Sequence, residues 1–127
     1  MGSEMCIRDS QKIMSSLRAL DISGVESLSK LEARRLGYYY TVQVGAFRTR
    51  MNEETLGFIN NNYGNEFHIV RDKRLEYDLY MLGRYKDLSD VKKVNSIIRE
   101  VGFSDCFMMG VEKKIPVSAL YIIKKYK

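Results

Sequence analysis

The side chains that most often carry out catalysis are scarce in this chain of 127 residues. His68 is the one histidine, and it lies in a stretch with the alternating pattern of a strand. Cys106 lies in an apolar strand pattern, which is typical of an inert buried thiol. No nucleophile and base occur in a motif that would place them together. The sequence therefore predicts a protein that is not an enzyme and that uses no cofactor and no metal.

Two glycines separate strand patterns from helix patterns, where a phosphate-binding loop could form. Gly45 and Gly83 do not belong to a glycine-rich run, and no Lys-Ser or Lys-Thr pair follows either of them. We interpret both as turn glycines.

The composition is that of a single domain with extensions. Hydrophobic residues make up 45% of the chain and charged residues 29%, which favours an ordinary core over disorder. The net charge of +5 suits an anionic partner, but proteins of many functions carry as much. No apolar run is long enough to cross a bilayer.

The first ten residues, 1–10, look foreign to the rest of the chain. The run Glu4–Ser10 resembles the in-frame translation of a sequencing-adapter end, and such segments are excluded from fold reasoning. We therefore expect the natural N-terminus to be missing, together with any targeting segment or membrane tether.

Residues 11–37 have the apolar spacing of helices. Ser23 and Glu26 match a capping box at the start of the second helical stretch, and Gly37 is a suitable stop. We interpret the segment as a linker helix or as the remnant of an upstream region.

A repeat organises residues 38–112. The stretch Tyr38–Arg48 combines an alternating strand, a glycine and an aromatic residue two positions on, and Tyr77–Tyr85 has the same pattern. Gly45 and Gly83 are separated by 38 positions, and the same offset relates further strand, helix and helix-stop residues. Two β-α-β units predict an α+β protein with a ferredoxin-like βαββαβ fold, in which a four-stranded antiparallel sheet carries both helices on one face.

The predicted elements follow in order along this domain. They are strand one at Tyr39–Gly45, a helix between Thr49 and Gly64, strand two at Phe67–Arg71, strand three at Tyr77–Leu82, a helix ending at Gly102, and strand four at Cys106–Val111. The register of strands two and four is open by one residue, and a slip would exchange the faces of their side chains.

The basic tail, 113–127, predicts a short amphipathic helix with Pro116 near its first turn. We expect this helix to dock on the domain, with a membrane-surface helix as the alternative.

The sheet face opposite the helices is predicted to lack cover from the domain itself, so a binding site is expected there. Uncovered aromatic and apolar side chains usually mark an interaction site. The alternative is a face covered by the tail, by residues 11–37 or by a second copy of the chain. By alternation, and in one of the two registers, this face carries Thr41, Gln43, His68, Val70, Tyr77, Leu79, Met81, Phe107 and Met109, with Arg48, Arg50 and Arg84 at its edge.

Three strings, Tyr40–Phe47, Leu82–Tyr85 and the pair Gly102-Phe103, resemble the SPOR domain over about residues 38–112. The resemblance implies the ferredoxin-like fold and a non-catalytic module that binds bacterial peptidoglycan, with a preference for glycan strands stripped of their stem peptides. It also implies an envelope or cell-division protein exposed to the periplasm and often tethered to a membrane.

Position by position, the resemblance implies glycan contacts from Gln43, Ala46, Tyr77, Leu79 and Phe107. Leu79 stands where some members have a basic residue, Ala46 where some have a hydroxyl, and Arg84 where a proline is frequent. These departures point to weak binding or to a somewhat different ligand. Thr41 would add a hydroxyl to the site, and Arg48 or Arg84 would supply a charge.

Two alternative functions use the same face. One is nucleic-acid binding, because the related RNA-recognition fold stacks bases on strand aromatics, and the other is homodimerisation. The Arg/Lys-Gly-Phe-Gly-Phe type of signature is absent between Tyr77 and Tyr85, which disfavours nucleic acid.

Overall fold

The computed structural model describes residues 15, 18, 25–47, 53, 54, 57, 61, 67–103 and 105–126. In these parts of the chain it forms three helices and five strands of an α+β fold. In chain order they are α1 (Lys30–Leu36), β1 (Tyr38–Phe47), β2 (Phe67–Asp72), β3 (Tyr77–Tyr85), α2 (Leu88–Glu100), β4 (Phe107–Glu112), β5 (Ile115–Ser118) and α3 (Ala119–Tyr126).

Three predictions fall wholly or mostly on parts of the chain outside the described residues. They are the adapter-like segment 1–10, the first helical stretch within residues 11–24, and the helix between Thr49 and Gly64. The four residues of that helix that the structure describes each have helical backbone.

The strands form one antiparallel sheet in the order β2-β3-β1-β4-β5. The prediction of a four-stranded sheet is wrong at the tail, where Ile115–Ser118 pairs with β4 as a fifth strand. Pro116 fits this position because proline cannot donate a backbone hydrogen bond and is confined to edge strands. The domain therefore continues past the predicted boundary at Glu112. The short helix predicted in the tail follows as α3 but begins only at Ala119, so the prediction that Pro116 lies near its first turn is wrong.

The pairing also settles the register that the sequence left open. Phe67 pairs with Leu82, and Val42 pairs with Met108, so these residues face α2. One residue along, His68 pairs with Met81 and points to the opposite face. The register in which Phe67 faces the helices is therefore confirmed.

Both α2 and α3 pack on the same side of the sheet, which we call the helix face. The buried positions of α2 recur at the spacing of one helical stripe, and α3 adds one fully buried residue. Gly110 has no side chain where α3 crosses β4, and a Cβ there would collide with Ile122. The core on this face consists of Tyr40, Val42, Phe67, Tyr80, Leu82, Tyr85, Val91, Val94, Ile98, Phe103, Cys106 and Ile122.

The helix predicted from Val25 is shorter than expected and begins only at Lys30. Ser29 and Glu32 form its capping box: the Glu32 N–H donates to the Ser29 hydroxyl at 3.1 Å, and the Ser29 N–H donates to the Glu32 carboxylate at 3.0 Å. The capping box predicted at Glu26 is wrong, because Glu26 lies outside any helix. The predicted stop at Gly37 is confirmed, with the left-handed φ of 89° that glycine adopts readily.

The residues before α1 attach to the last part of β3 instead of continuing a helix. The Leu28 N–H donates to the Arg84 carbonyl at 2.6 Å, and the Arg84 N–H donates to the Ser27 hydroxyl at 3.0 Å. The pairing of β2 with β3 extends only from Leu82 to Tyr77, so this part of β3 has an open edge that Ser27 and Leu28 occupy. The segment is therefore part of the folded domain.

Glu112, near the end of β4, holds α3 against the sheet. Its carboxylate accepts hydrogen bonds from the hydroxyls of Tyr121 at 3.0 Å and Tyr126 at 2.6 Å, and it pairs with the Lys125 ammonium at 2.7 Å. The Tyr126 ring also stacks on Tyr38 of β1, with ring centroids 3.9 Å apart. The hydrogen bonds from Lys125 and the tyrosines lower the pKa of Glu112 to about 2.

We expect Glu112→Gln to lower the melting temperature and to change its dependence on pH. The pKa of Glu112 lies below its usual value of 4.5 in the folded state, so its stabilisation is complete above that value and is lost as the pH falls towards about 2. Circular dichroism melts between pH 6 and pH 2.5 should show a difference between wild type and variant that shrinks as the pH falls. A difference that stays constant with pH would contradict this role of the carboxylate.

A second prediction compares two glycines with left-handed backbone. Gly83 has a φ of 77°, and a Cβ there would collide with the Tyr85 ring, whereas a Cβ on Gly37 would meet no atom within 4 Å. Gly37→Ala should therefore lower the free energy of unfolding by about 1 kcal/mol, the cost of left-handed backbone in alanine. Gly83→Ala should lower it by about 3 kcal/mol or more, because the collision adds to that cost. Urea denaturation measures both, and equal losses would contradict the proposed collision.

Candidate functional site

The face opposite the helices carries a second apolar cluster, although no helix in the described part of the chain packs on it. A flat sheet of five strands would hold its outermost strands about 19 Å apart. The outermost strands β2 and β5 instead contact each other, so the sheet curls, and we call its inner side the concave face. The cluster consists of Val70, Leu79, Met81 and Val111, with Tyr39, Tyr77 and Met109 packed around it.

The prediction that this face is open is therefore wrong at its centre. The side chains of Thr41 and Met81 are 0% exposed, and Leu79 is 6% exposed. Thr41 and Leu79 were both expected to contact a ligand, and the curl of the sheet makes neither accessible. Their role in this fold is to fill the interior of the curled sheet.

Thr41 also holds together an irregular part of the sheet. The pairing of β1 with β3 shifts between Tyr40 and Val42, and at this bulge the Thr41 hydroxyl lies 2.7 Å from the Gly83 carbonyl and 3.2 Å from the Leu82 carbonyl, with its hydrogen shared between them. The hydroxyl is therefore used within the fold.

A second bulge changes which residues of β1 share a face. Gln43 pairs with Met81 and Gly45 pairs with Tyr80, so one residue of β1, Val44, has no partner on β3. Strict alternation would place Gln43 and Ala46 on opposite faces, but the extra residue brings both onto the concave face. The sequence motif that contains them therefore contributes two residues to this face.

The accessible part of the concave face is its rim at the end of the sheet where β2 turns into β3. Phe107 pairs directly with Gln43 and is 44% exposed, while Gln43 itself is 9% exposed. Ala46 is exposed and Tyr77 is half-buried, on the same side of the sheet. We call these four residues the rim site. Four of the eight residues that the sequence predicts for the glycan site thus lie on this side of the sheet.

Of the two arginines of the predicted site, the structure describes Arg84, and this residue lies away from the rim site. Arg84 lies three residues along β3 from Met81, at the end of the sheet where α1 lies, which we call the α1 end. Its guanidinium carbon is 5.8 Å from the centroid of the Tyr39 ring. Arg48 lies outside the described residues.

Tyr39 and His68 form a polar contact at the α1 end that the sequence did not reveal. The Tyr39 hydroxyl lies 3.0 Å from His68 Nε2, across the intervening strand β3. Burial raises the pKa of Tyr39, and the nearby Arg84 opposes this rise. The contact crosses the concave face because the sheet curls, so no pattern within one strand could have predicted it.

Cys106 lies in the core, as predicted. It is almost fully buried, and burial raises the pKa of its thiol, with an opposing contribution from Arg99. Its sulfur lies 3.4 Å from the side-chain oxygen of Asn95. These surroundings favour the protonated, unreactive form of the thiol.

Other features of the described residues lie away from the rim site. A shallow groove of about 430 Å³ lies on the helix face, between the start of α2 and the end of α3, and it is lined by Tyr38, Tyr40, Lys86, Asp87, Leu88, Ser89, Lys92 and Tyr126. No cluster of His, Cys, Asp and Glu suited to a metal ion occurs in the described part of the chain. None of the helices described there is long and apolar enough to span a membrane.

The chain was compared with protein-family models, with curated proteins and with solved structures, and none of them matches.

We expect Thr41→Val to destabilise the fold because it keeps the shape of the side chain and removes the donor to two carbonyls. The free energy of unfolding should fall by about 1 kcal/mol, which is typical for the loss of one buried hydrogen bond. Thermal or urea denaturation measures it. A variant as stable as the wild type would show that the hydroxyl is not needed at this bulge.

Proposed function

We propose that this protein is a non-catalytic module that binds peptidoglycan through the rim site, recognising glycan strands stripped of their stem peptides. The observation that carries the proposal is the direct pairing of Gln43 with Phe107 on the concave face, with the Phe107 ring 44% exposed. Phe107 offers an exposed ring for a sugar to stack on, and the Gln43 amide lies beside it at the edge of the accessible surface, 9% exposed.

The chemistry of each rim residue suits a glycan. Sugar rings have apolar C–H faces that pack on aromatic rings such as Phe107 and Tyr77. The Gln43 amide can both donate to and accept from hydroxyl and N-acetyl groups. Ala46 has a small exposed side chain, which lets a sugar ring approach the backbone of β1. A stripped strand also carries a lactyl carboxylate, for which Arg48 is the candidate partner among the predicted residues.

The resemblance to the SPOR domain supports this proposal. The strand order β2-β3-β1-β4 with α2 on one face agrees with the ferredoxin-like arrangement that the resemblance implies. In that interpretation β5 and α3 are additions to the ferredoxin-like unit. The same resemblance supports a place in the cell envelope, facing the periplasm, where the module would bring an envelope or cell-division protein to the wall.

Nucleic-acid binding on the sheet face fits the geometry less well. Base stacking on an RNA-recognition fold needs exposed aromatic residues on the central strands. Here the central residues Thr41 and Met81 are aliphatic or small and fully buried. Homodimerisation through the exposed Phe107 is the remaining alternative, and the experiment below tests it.

Pelleting of the full chain with isolated sacculi tests the proposal. We expect the protein to pellet with sacculi, and more strongly after amidase treatment has removed stem peptides. Phe107→Ala and Gln43→Ala should each weaken binding about fivefold, since one stacking or hydrogen-bonding contact contributes about 1 kcal/mol. Leu120→Ala is the matched control, because it removes an exposed apolar side chain from α3 and should leave pelleting unchanged.

Three outcomes would contradict the proposal. A protein that pellets with neither preparation does not bind peptidoglycan. Variants of Phe107 and Gln43 that pellet like the wild type would place the site elsewhere on the domain. A wild-type dimer that Phe107→Ala converts to a monomer would assign the exposed ring to self-association.

A further inference from the structure

The α1 end of the sheet carries a second surface that the glycan proposal does not use. It consists of the exposed face of α1 and the turn between β4 and β5. The two parts are joined directly, because the Lys113 N–H donates to the Gly37 carbonyl at 3.2 Å. Gly37 is the residue at which α1 ends, so the helix and the turn form one continuous surface.

The turn between β4 and β5 has an unusual sequence for its shape. Glu112 pairs with Ile115, so only Lys113 and Lys114 connect the strands, and both have left-handed backbone, with φ of 50° and 70°. Two-residue turns of this type strongly favour Asn-Gly, because lysine adopts left-handed backbone at a conformational cost. Unfavourable backbone of this kind tends to persist where a side chain has a function. The turn therefore presents two adjacent exposed ammonium groups at the tip of the domain.

The charge of this surface is mostly positive. Five exposed cationic residues lie on α1 and the turn, and these two segments contain one acidic residue, Glu32, whose carboxylate is held by Ser29 in the capping box. The neighbouring Glu112 is already paired with Lys125. The five cations are Lys30, Arg34, Arg35, Lys113 and Lys114.

Exposed aliphatic side chains lie among these cations. Leu31 is 54% exposed on α1, and Ile115 is 62% exposed directly after the turn. Leu31 shares one side of the helix with Arg34 and Arg35, because residues three and four apart lie on the same face. Leu31 therefore lies beside basic side chains on α1, and Ile115 directly follows the two lysines of the turn, with Glu112 as its partner across the strands.

We propose that the α1 end docks on an anionic lipid bilayer, with Leu31 and Ile115 entering the interfacial layer and the five cations contacting lipid headgroups. Apolar contact combined with electrostatic attraction to anionic lipids is how peripheral surfaces bind membranes. Binding of nucleic acid is the less suited alternative, because this surface offers aliphatic side chains in place of aromatic rings or amides for bases. The surface and the rim site lie at opposite ends of β1, so the domain can contact both partners at once.

The test is cosedimentation of the full chain with vesicles of phosphatidylcholine that contain one third phosphatidylglycerol. Wild type should pellet with these vesicles, should remain soluble with pure phosphatidylcholine, and should be released by added salt. The double variant Lys113→Asn with Lys114→Gly should bind about 30-fold more weakly, since each basic residue near the surface lowers the dissociation constant about fivefold. Its melting temperature should rise, because Asn-Gly suits the turn.

A variant that binds vesicles more weakly but melts at a higher temperature shows that the lysines act in binding and are not needed for stability. Leu31→Ser with Ile115→Ser should also weaken vesicle binding while leaving pelleting with sacculi unchanged, which keeps the two proposals distinguishable. The matched control is Lys73→Gln with Arg74→Gln, which removes two exposed charges from the turn at the other end of the sheet.

The proposal is overturned if the Asn-Gly variant binds vesicles as tightly as wild type. It is also overturned if the control loses as much binding, because the attraction would then depend only on net charge. Binding of a single-stranded RNA oligonucleotide without binding of anionic vesicles would assign the surface to nucleic acid instead.

Discussion

Laid flat, five strands would keep β2 and β5 about 19 Å apart, and in this domain the two strands are in contact. Strands twist in one direction, and the twist accumulates across a sheet. Two bulges add to it, one in β3 opposite Thr41 and one in β1 at Val44, because a bulge bends its strand and increases the local twist. The concave face becomes too narrow for a large ligand at its centre, and it is filled by side chains such as Met81 and Thr41. The two surfaces proposed for binding, the rim site and the α1 end, lie at the ends of the strands of this curled sheet.

Because both faces of the sheet are packed, the accessible chemistry lies at the two ends of the strands. At one end, the bulge near Gln43 and the start of β4 bring the rim site together. At the other end, α1 and the β4–β5 turn concentrate exposed cations. Under the two proposals together, the domain lies between a membrane and the cell wall, and the length of its central strands sets the distance between them.

The tail is part of the fold that makes this arrangement possible. β5 supplies the edge that meets β2, and α3 covers the helix face beside α2. The contacts of Glu112 with Tyr121, Lys125 and Tyr126 keep α3 in place, although this helix is only eight residues long. A short helix is marginal by itself, so its stability depends on packing and on these polar contacts.

The sequence by itself determined the alternation of the strands, the stripe of α2 and the stop at Gly37, because these patterns depend on local backbone geometry. It therefore predicted the four strands β1 to β4, and it placed Gln43, Tyr77 and Phe107 on one face. Only the tertiary structure decided that β5 joins the sheet, that the sheet curls and that Thr41 and Leu79 are buried. The curl results from small twists and two bulges added up over strands that are distant in sequence, so no local sequence pattern predicts it. Whether a residue on the concave face is core or binding surface follows from where it lies along this curl.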